Sequence, residues 1–578
     1  MGDDHLVSHT RPPSRRLRLL LVAAALVAGS AQPGRAGDPQ ADPDVAATVD
    51  QVLASARHPQ LRWPAFPDLA PALKDVYDAE PDRLFWFDGT RPHPALARTV
   101  AVLDRAREHG LDPADYDAAT LSAASRAYQG GAAVRAPDRA LFDVAVSVAT
   151  VRLVSAVQRG RVDPAVLGWG YRIGKPVLEP AEALRATRDG TGLATTVAEV
   201  QPPFGHYTRA MRALADYKVL AAAGEPPPVP AVAKGQKVEP GKPWAGVPQL
   251  RARLQALGDL PGDAPVEPTA GGGVPLYTGP VVDAVRRFQW RHVLEPDGVV
   301  GAGTVAALNV PMAHRVRQIE LAMERMRWLP DMHDTATVFV NVPLYRLWAT
   351  DPSTGEEPLR MNVVVGKAVN HHTPIFIDRM EYVIFRPYWN PPRSIVLNEL
   401  LPKARKSPGY MDREELEIVA SGADDAPALP VTPENLNKVA AGALFVRQKP
   451  GPRNSLGLAK FIFPNDENVY MHGTPAQALF ARARRDFSHG CIRLEDPARF
   501  AEWVLRDQKE WTRTRIDQAM QAARPLRVNL TSPPTVVIFY DTVHVNSEAV
   551  VFFAEDIYGH DRALDEALGR GYPYPAKP

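Results

Sequence analysis

Cys491 is the only thiol in a chain of 578 residues. It lies in the run Ser488-His489-Gly490-Cys491-Ile492-Arg493, downstream of a second polar knot, Met471-His472-Gly473-Thr474. One thiol cannot close an intramolecular disulfide and supplies too little sulfur for a cysteine-rich metal site, which leaves an inert buried thiol or a nucleophile. Structural cysteines usually sit in apolar runs; the flanks here are Gly490, His489 and Arg493, and they favour the nucleophile. A thiol of ordinary pKa, ~8.5, is largely protonated at neutral pH, so an imidazole that takes its proton raises the reactive fraction. His489, two residues before Cys491, points to the same side of an extended segment and reads as a positioning residue, against a purely structural hydrogen bond. His472 can face the thiol from an adjacent strand or turn and reads as the general base. Gly490 lets the backbone approach a substrate carbonyl, so the amides around Gly490 and Cys491 form a candidate oxyanion hole.

The stretch from His472 to Arg493, with HGTP followed by LFARARRDFSHGCIRLEDP, resembles the active-site signature of the L,D-transpeptidases (YkuD-type catalytic domain), bacterial cell-wall enzymes with a catalytic cysteine. The similarity extends upstream through Met361 to Lys367, Thr373-Pro374 and Phe385 to Ile395, and resumes from Arg447 to Gly457. These segments are similar to the large multidomain members found in Gram-negative periplasms. Some relatives in that subgroup carry an acidic residue where Gly473 stands; the wider family often has HGT, so no loss of activity is expected.

Arg15, Arg16 and Arg18 precede an apolar stretch from Leu19 to Ala28, and small residues follow at Gly29-Ser30-Ala31 and Gly34-Arg35-Ala36. That pattern predicts a signal peptide over 1–36, cleaved after Ala31 or Ala36. The stretch is shorter than the ~20 residues of a comfortable membrane span. Ser14-Arg15-Arg16 hints at a twin-arginine signal, but the Sec route is the expectation, with a periplasmic destination. A formal net charge of +1 gives no bulk reason to expect nucleic-acid or membrane binding.

Length predicts roughly three domains in the mature chain. Region 40–235 reads as a helical scaffold: Leu96, Val100 and Leu103 repeat at helical spacing before Gly110, and Leu141 to Val157 form an apolar helix whose Asp143 and Arg152 argue against a membrane span. Phe85, Trp86 and Phe87 read as core in preference to a sugar platform. The proline run from Pro226 to Pro230 marks a boundary, and Gly271-Gly272-Gly273 a flexible insertion in the next module. That module, 244–311, resembles a three-helix peptidoglycan-binding domain; its apolar positions read as core, and glycan binding is implied only by the resemblance. Region 336–530 shifts to strand patterns, as in Val338-Phe339-Val340-Asn341-Val342, and predicts a mostly antiparallel β-sandwich or barrel. About 396–445 turns helical and charged, and in the resembling subgroup this place is a lid over the active site. Residues 531–578 predict a closing hairpin from Val536-Val537-Ile538-Phe539-Tyr540 and Val550-Val551-Phe552-Phe553. The fold class expected is therefore multidomain α+β.

The resemblance implies two-step acyl transfer. Cys491 attacks the L-centre carbonyl of a stem tetrapeptide, His472 moves the proton to the departing D-alanine, and the Gly473 carbonyl orients His472. An amine on a second stem then takes the acyl group, giving a 3-3 crosslink. Ser488 and Arg493 are expected to contact substrate, with an internal strut as the other reading of Arg493; Glu495 and Asp496 brace the loop. Trp389, Asn390 and Arg393 are expected to line the cleft under the lid. Peptidoglycan stem peptides and glycan are the expected partners, with carbapenems trapping Cys491. No cofactor or metal is expected, since no HExxH pair or other clear ligand spacing supports zinc at His472, His489 and Cys491. Two alternatives remain: hydrolysis of the same acyl-enzyme, as an L,D-carboxypeptidase or endopeptidase, and a non-catalytic wall-anchoring protein. The acceptor, whether stem peptide, free D-amino acid or lipoprotein lysine, is not encoded legibly.

Overall fold

The computed structural model describes residues 42–131, 134–170, 178–332, 334–356, 358–369 and 371–572. The leader expected over 1–36 lies outside the described residues. The described residues from Pro43 to Ala222 are mainly helical, and the central helix, Ala136–Arg159, is buried on every side. This helix is long and apolar enough to cross a membrane, yet it is buried in the scaffold core. Its charges are paired inside the protein. Asp143 accepts from the Phe85 and Trp86 amides at 3.0 and 2.7 Å and from the Tyr77 hydroxyl at 2.6 Å, and Arg152 donates to the Trp63 and Ala65 carbonyls. Phe85, Trp86 and Phe87 are all buried in this core.

Three helices, Val247–Ala256, Pro280–Arg291 and Ala302–Leu308, enclose the small second core. The proline run is strapped to this module, with Val229 buried and exchanging two hydrogen bonds with the Asn309 side chain. Tyr277 is fully buried and donates to the Gly298 carbonyl at 2.6 Å, so it is core.

Helix Met312–Met326 then runs between the scaffold helix Gly205–Ala222 and the carboxy-terminal helix His560–Leu568. Near its end Glu324 is buried and accepts from the Arg161 and Val162 amides and from Arg327, while Arg327 also donates to the His109 carbonyl and Tyr207 hydroxyl. One carboxylate thus ties the scaffold to the segment that leads into the sheet.

The sheet that follows is mixed and 11-stranded. Strands run in the order Leu526–Asn529, Tyr382–Phe385, Ala459–Ile462, Met471–His472, Ile492–Leu494, Leu359–Gly366, Arg346–Thr350, Thr337–Asn341, Thr535–Phe539, Phe376–Arg379, with Asp486–Ser488 paired to Leu359–Gly366. Three pairings are parallel, His472 strand to Arg493 strand among them, and the other seven are antiparallel, so the sheet is mostly antiparallel as expected and mixed in detail. Phe376–Arg379 closes one end of this order and Tyr382–Phe385 lies next to the other, yet only Met380 and Glu381 join them. Two residues reach roughly 7 Å, so the sheet must curl into a half-barrel. Val363, Val365, Met471, Ile492, Leu494 and Phe461 fill its inner face.

The expected carboxy-terminal hairpin is corrected. Thr535–Phe539 is an interior strand, parallel to Thr337–Asn341 and antiparallel to Phe376–Arg379. The hairpin is Val543–Val545 with Val551–Phe553, packed on helix Gly205–Ala222.

Between Trp389 and Gln448 the chain leaves the sheet to form a folded insertion with helices, a three-stranded sheet and its own core of Leu400, Leu401, Met411, Ile418, Val439 and Val446. It is thus less purely helical than its sequence suggests. Trp389 and Gln448 exchange both backbone hydrogen bonds, at 3.2 and 2.8 Å, and Asn454 clamps this neck through the Pro387, Gln448 and Lys449 carbonyls.

Candidate active site

Strand register places the chemistry. His472 is opposite Lys460 on one neighbouring strand and Arg493 on the other, and the Ile492 amide bonds to the Tyr470 carbonyl at 3.1 Å. Because side chains alternate along strands, Lys460, Tyr470, His472, Cys491 and Arg493 share the outer face, and Phe461, Met471 and Ile492 turn into the core.

Cys491 is half-buried. Its Sγ lies 3.9 Å from the Asn468 carbonyl, and no hydrogen bond joins it to His472 among the described residues. Burial pushes the thiol pKa up, partly opposed by Tyr470, Lys460 and Arg493. His472 is buried, with Nδ1 2.5 Å from the Gly473 carbonyl oxygen. A carbonyl only accepts, so Nδ1 carries the proton and Nε2 keeps its lone pair. Burial, with Arg493 and Lys460, lowers the imidazole pKa to about 3 against the opposing pull of the Gly473 and Leu456 carbonyls. At neutral pH the resting pair is therefore neutral thiol and neutral imidazole. Acylation by this pair needs proton transfer as the thiol attacks, with Sγ within hydrogen-bond reach of Nε2.

The turn that presents Cys491 is built from the inside. Gly490 has φ of +117°, a conformation that favours glycine. Ser488 is buried, and its hydroxyl donates to the Cys491 carbonyl at 2.6 Å and accepts from the Gly490 amide at 3.1 Å. It holds the turn. The Gly490 amide is thereby committed, which leaves the Cys491 N–H for an oxyanion. Thr373 donates to the Gly490 carbonyl at 2.8 Å and accepts from the Gly366 amide, and the Tyr558 hydroxyl fixes the Gly366 carbonyl.

The insertion covers this turn. His489 Nε2 lies 2.8 Å from Glu399 of the insertion, and its ring packs edge-on against His371. Trp389 packs against the insertion's core at the neck. Arg393 is exposed and donates to the Ala440 carbonyl within the insertion, so it braces that unit; Asn390 is exposed. Arg493 is half-buried, and its Nε has no hydrogen-bond partner. Sequence reasoning missed Lys460, Tyr470 and Glu399. Tyr470 carried a usable signal, two residues before His472 on a strand; its ring lies 3.9 Å from Lys460 Nζ. Among the described residues no group of three or more His, Cys, Asp and Glu could hold a metal ion.

A lone thiol and a buried imidazole on one face of a curled mixed sheet, beneath a folded insertion, form the site of a thiol acyl-transfer domain. Residues 335–535 match the L,D-transpeptidase catalytic domain family, residues 71–214 a scaffold domain, and residues 245–308 the family described as "Putative peptidoglycan binding domain". Three segments of the chain thus match, in order, a scaffold domain, a peptidoglycan-binding domain and an L,D-transpeptidase catalytic domain. It is 29% identical over 255 residues to a protein of Haemophilus influenzae named "Putative L,D-transpeptidase", covering 43% of this chain and 49% of that one. The chain therefore spans about half the length of this curated relative. A crystal structure of an L,D-transpeptidase (residues 123–326) from Xylanimonas cellulosilytica aligns with 54% of this chain and 100% of that one, at 14% identity and a TM-score of 0.16.

Proposed function

We propose that this chain is a cysteine-dependent L,D-transpeptidase that forms 3-3 crosslinks between peptidoglycan stem peptides. The observation that carries the reading is the placement of the only thiol, Cys491, on one sheet face with His472 inside the matched catalytic domain. Sγ bonds to the L-centre carbonyl carbon of a tetrapeptide donor as its proton passes to His472 Nε2. The tetrahedral oxyanion is held by the Cys491 N–H. The C–N bond to D-alanine breaks, His472 returns the proton to the leaving amine, and a thioester remains. An acceptor amine on a second stem then displaces Sγ.

In this reading region 40–235 is the scaffold, 244–311 holds the wall and 336–530 reacts, in the periplasm, after export directed by 1–36. Arg493, with its unpartnered Nε, receives a substrate carboxylate. A carbapenem, as a strained amide that acylates the thiol, forms a stable adduct on Cys491. The decisive experiment incubates the leaderless protein with disaccharide-tetrapeptide and reads intact-protein mass and products. A 3-3 dimer supports the proposal. Tripeptide without dimer replaces it with the carboxypeptidase reading, and wall binding without turnover replaces it with the anchoring protein.

Two further outcomes are expected. With the His472 pKa lowered to about 3, the imidazole is neutral throughout the range above about pH 5, and the raised thiol stays protonated through neutrality. The carbapenem acylation rate, read by stopped-flow absorbance, should be flat from about pH 5 to 8. An acid limb centred near 6.5 would show that His472 is hydrated at reaction. The Glu399–His489 contact should hold the insertion down. Glu399→Ala is expected to speed hydrogen exchange in residues 393–448 by roughly fivefold at most, the scale of a part-exposed ion pair; unchanged exchange removes the latch.

A further inference from the structure

A cavity of about 460 Å³ opens where the scaffold, the three-helix module, the outer face of the sheet and the carboxy-terminal hairpin meet; Cys491 and His472 do not border it. Its chemistry is unusual for a gap between domains. Arg209, Arg346, Arg360, Arg482 and Arg485 line it against two carboxylates, Glu295 and Glu548. Arg485 spends its guanidinium on neutral acceptors, the Val363 and Tyr345 carbonyls and the Asn362 side chain, and Arg209 donates to the Val545 carbonyl. Glu295 accepts from the Ala483 amide at 2.6 Å. Arg346 and Arg482 make no ion pair among the described residues, and although Glu495 acts on Arg346 and Arg485 from nearby, the guanidinium groups outnumber the carboxylates at the wall.

Two indoles flank that charge. Trp290 is 43% exposed, a large share for such a side chain, and meets Phe552 edge-on at 4.6 Å. Trp348 stacks on His544, which stacks in turn on His206, so the ring is fixed from behind. The size lies in the range of ligand sites, which favour domain junctions. Rigid indoles offer flat apolar faces, and guanidinium groups match carboxylates in a two-pronged geometry.

The cavity also has a fixed relation to the strand beside Arg493. Asn362 on its wall and Val364 lie on the same face of one strand, about 7 Å apart along it, and Val364 is the register partner of Arg493. Val364 itself is fully buried, so the cavity and Arg493 are neighbours through one strand, with covered sheet between them.

We propose that this cavity is a second binding site for peptidoglycan, taking an anionic muropeptide whose sugar rings lie on Trp290 and Trp348 and whose peptide carboxylates pair with Arg346 and Arg482. The choice of polymer rests on the function proposed above; the charge and the indoles do not.

The test uses the full chain as Cys491→Ala, titrated calorimetrically with disaccharide-tetrapeptide, with the same compound amidated at its carboxylates, and with N-acetylglucosamine oligomers. Added Trp290→Ala, Arg346→Ala or Arg482→Ala should each weaken the disaccharide-tetrapeptide about tenfold, the scale of one charged hydrogen bond. Amidation should do the same. Arg482 is exposed, so its variant guards against loss by misfolding. Unchanged binding in all three cavity variants overturns the proposal, as does equal affinity for the uncharged oligomers. In the wild-type thiol background, Arg482→Ala should leave carbapenem acylation unchanged while raising the KM for polymeric wall. Failure of acylation with Trp290-dependent binding intact would sink the transpeptidase and leave the cavity standing.

Discussion

Replacing Cys491 by alanine is expected to abolish the mass adduct with a carbapenem and to lower crosslinking at least about a thousandfold, because no second thiol exists to take over. Cys491→Ser should fail almost as fully. The buried imidazole at pKa about 3 is a weak base, and a hydroxyl gives up its proton far less readily than a thiol. His472→Ala should also remove most activity, and combining it with Cys491→Ala should add little, since groups that act as one unit are not additive. Intact-protein mass and quantified 3-3 dimer check these outcomes. Residual dimer within tenfold of the parent in Cys491→Ala would rule out the thioester route.

Replacing Glu324 by alanine is expected to cost about 3–5 kcal/mol, the scale of removing one member of a buried ion pair. Glu324 holds two backbone amides of the scaffold and the guanidinium of Arg327, and both side chains are buried. The variant therefore removes the carboxylate that Arg327 and the Arg161 and Val162 amides share at the junction between scaffold and sheet. Exchanging both residues for apolar side chains of similar volume should cost less than the single change. Urea midpoints of parent, single and double variants provide the check, and a loss below about 1 kcal/mol for Glu324→Ala would contradict it. A shallower transition would report that the scaffold has come apart from the sheet first.

Legibility followed the range of the interaction. Cys491, His472 and the turn at Gly490 were readable because rare residue types sat at telling spacings within short segments. Lys460 was not, since its place beside His472 depends on a strand register between segments that nothing local fixes. Glu399 looked like one charge among many in the insertion, and its meeting with His489 spans 90 positions. The helices of the scaffold carried their own period, and Asp143 and Arg152 correctly marked Ala136–Arg159 as an internal helix. Thr535–Phe539 misled for a physical reason. Neighbouring apolar strands usually pair with each other, and this one instead enters the sheet parallel to a strand almost 200 residues earlier. A sequence does not reveal which neighbouring carbonyl the hydroxyl of Ser488 donates to.

The stitched neck at Trp389 and Gln448 has an evolutionary consequence. Paired residues of antiparallel strands lie only about 5 Å apart, so the insertion begins and ends almost at one point. A short turn or a quite different subdomain could occupy that point without altering the strand order beneath it. Chain length between such anchors is energetically inexpensive to vary. Selection can therefore exchange the roof while the sheet below, with Cys491 and His472 on it, is inherited unchanged.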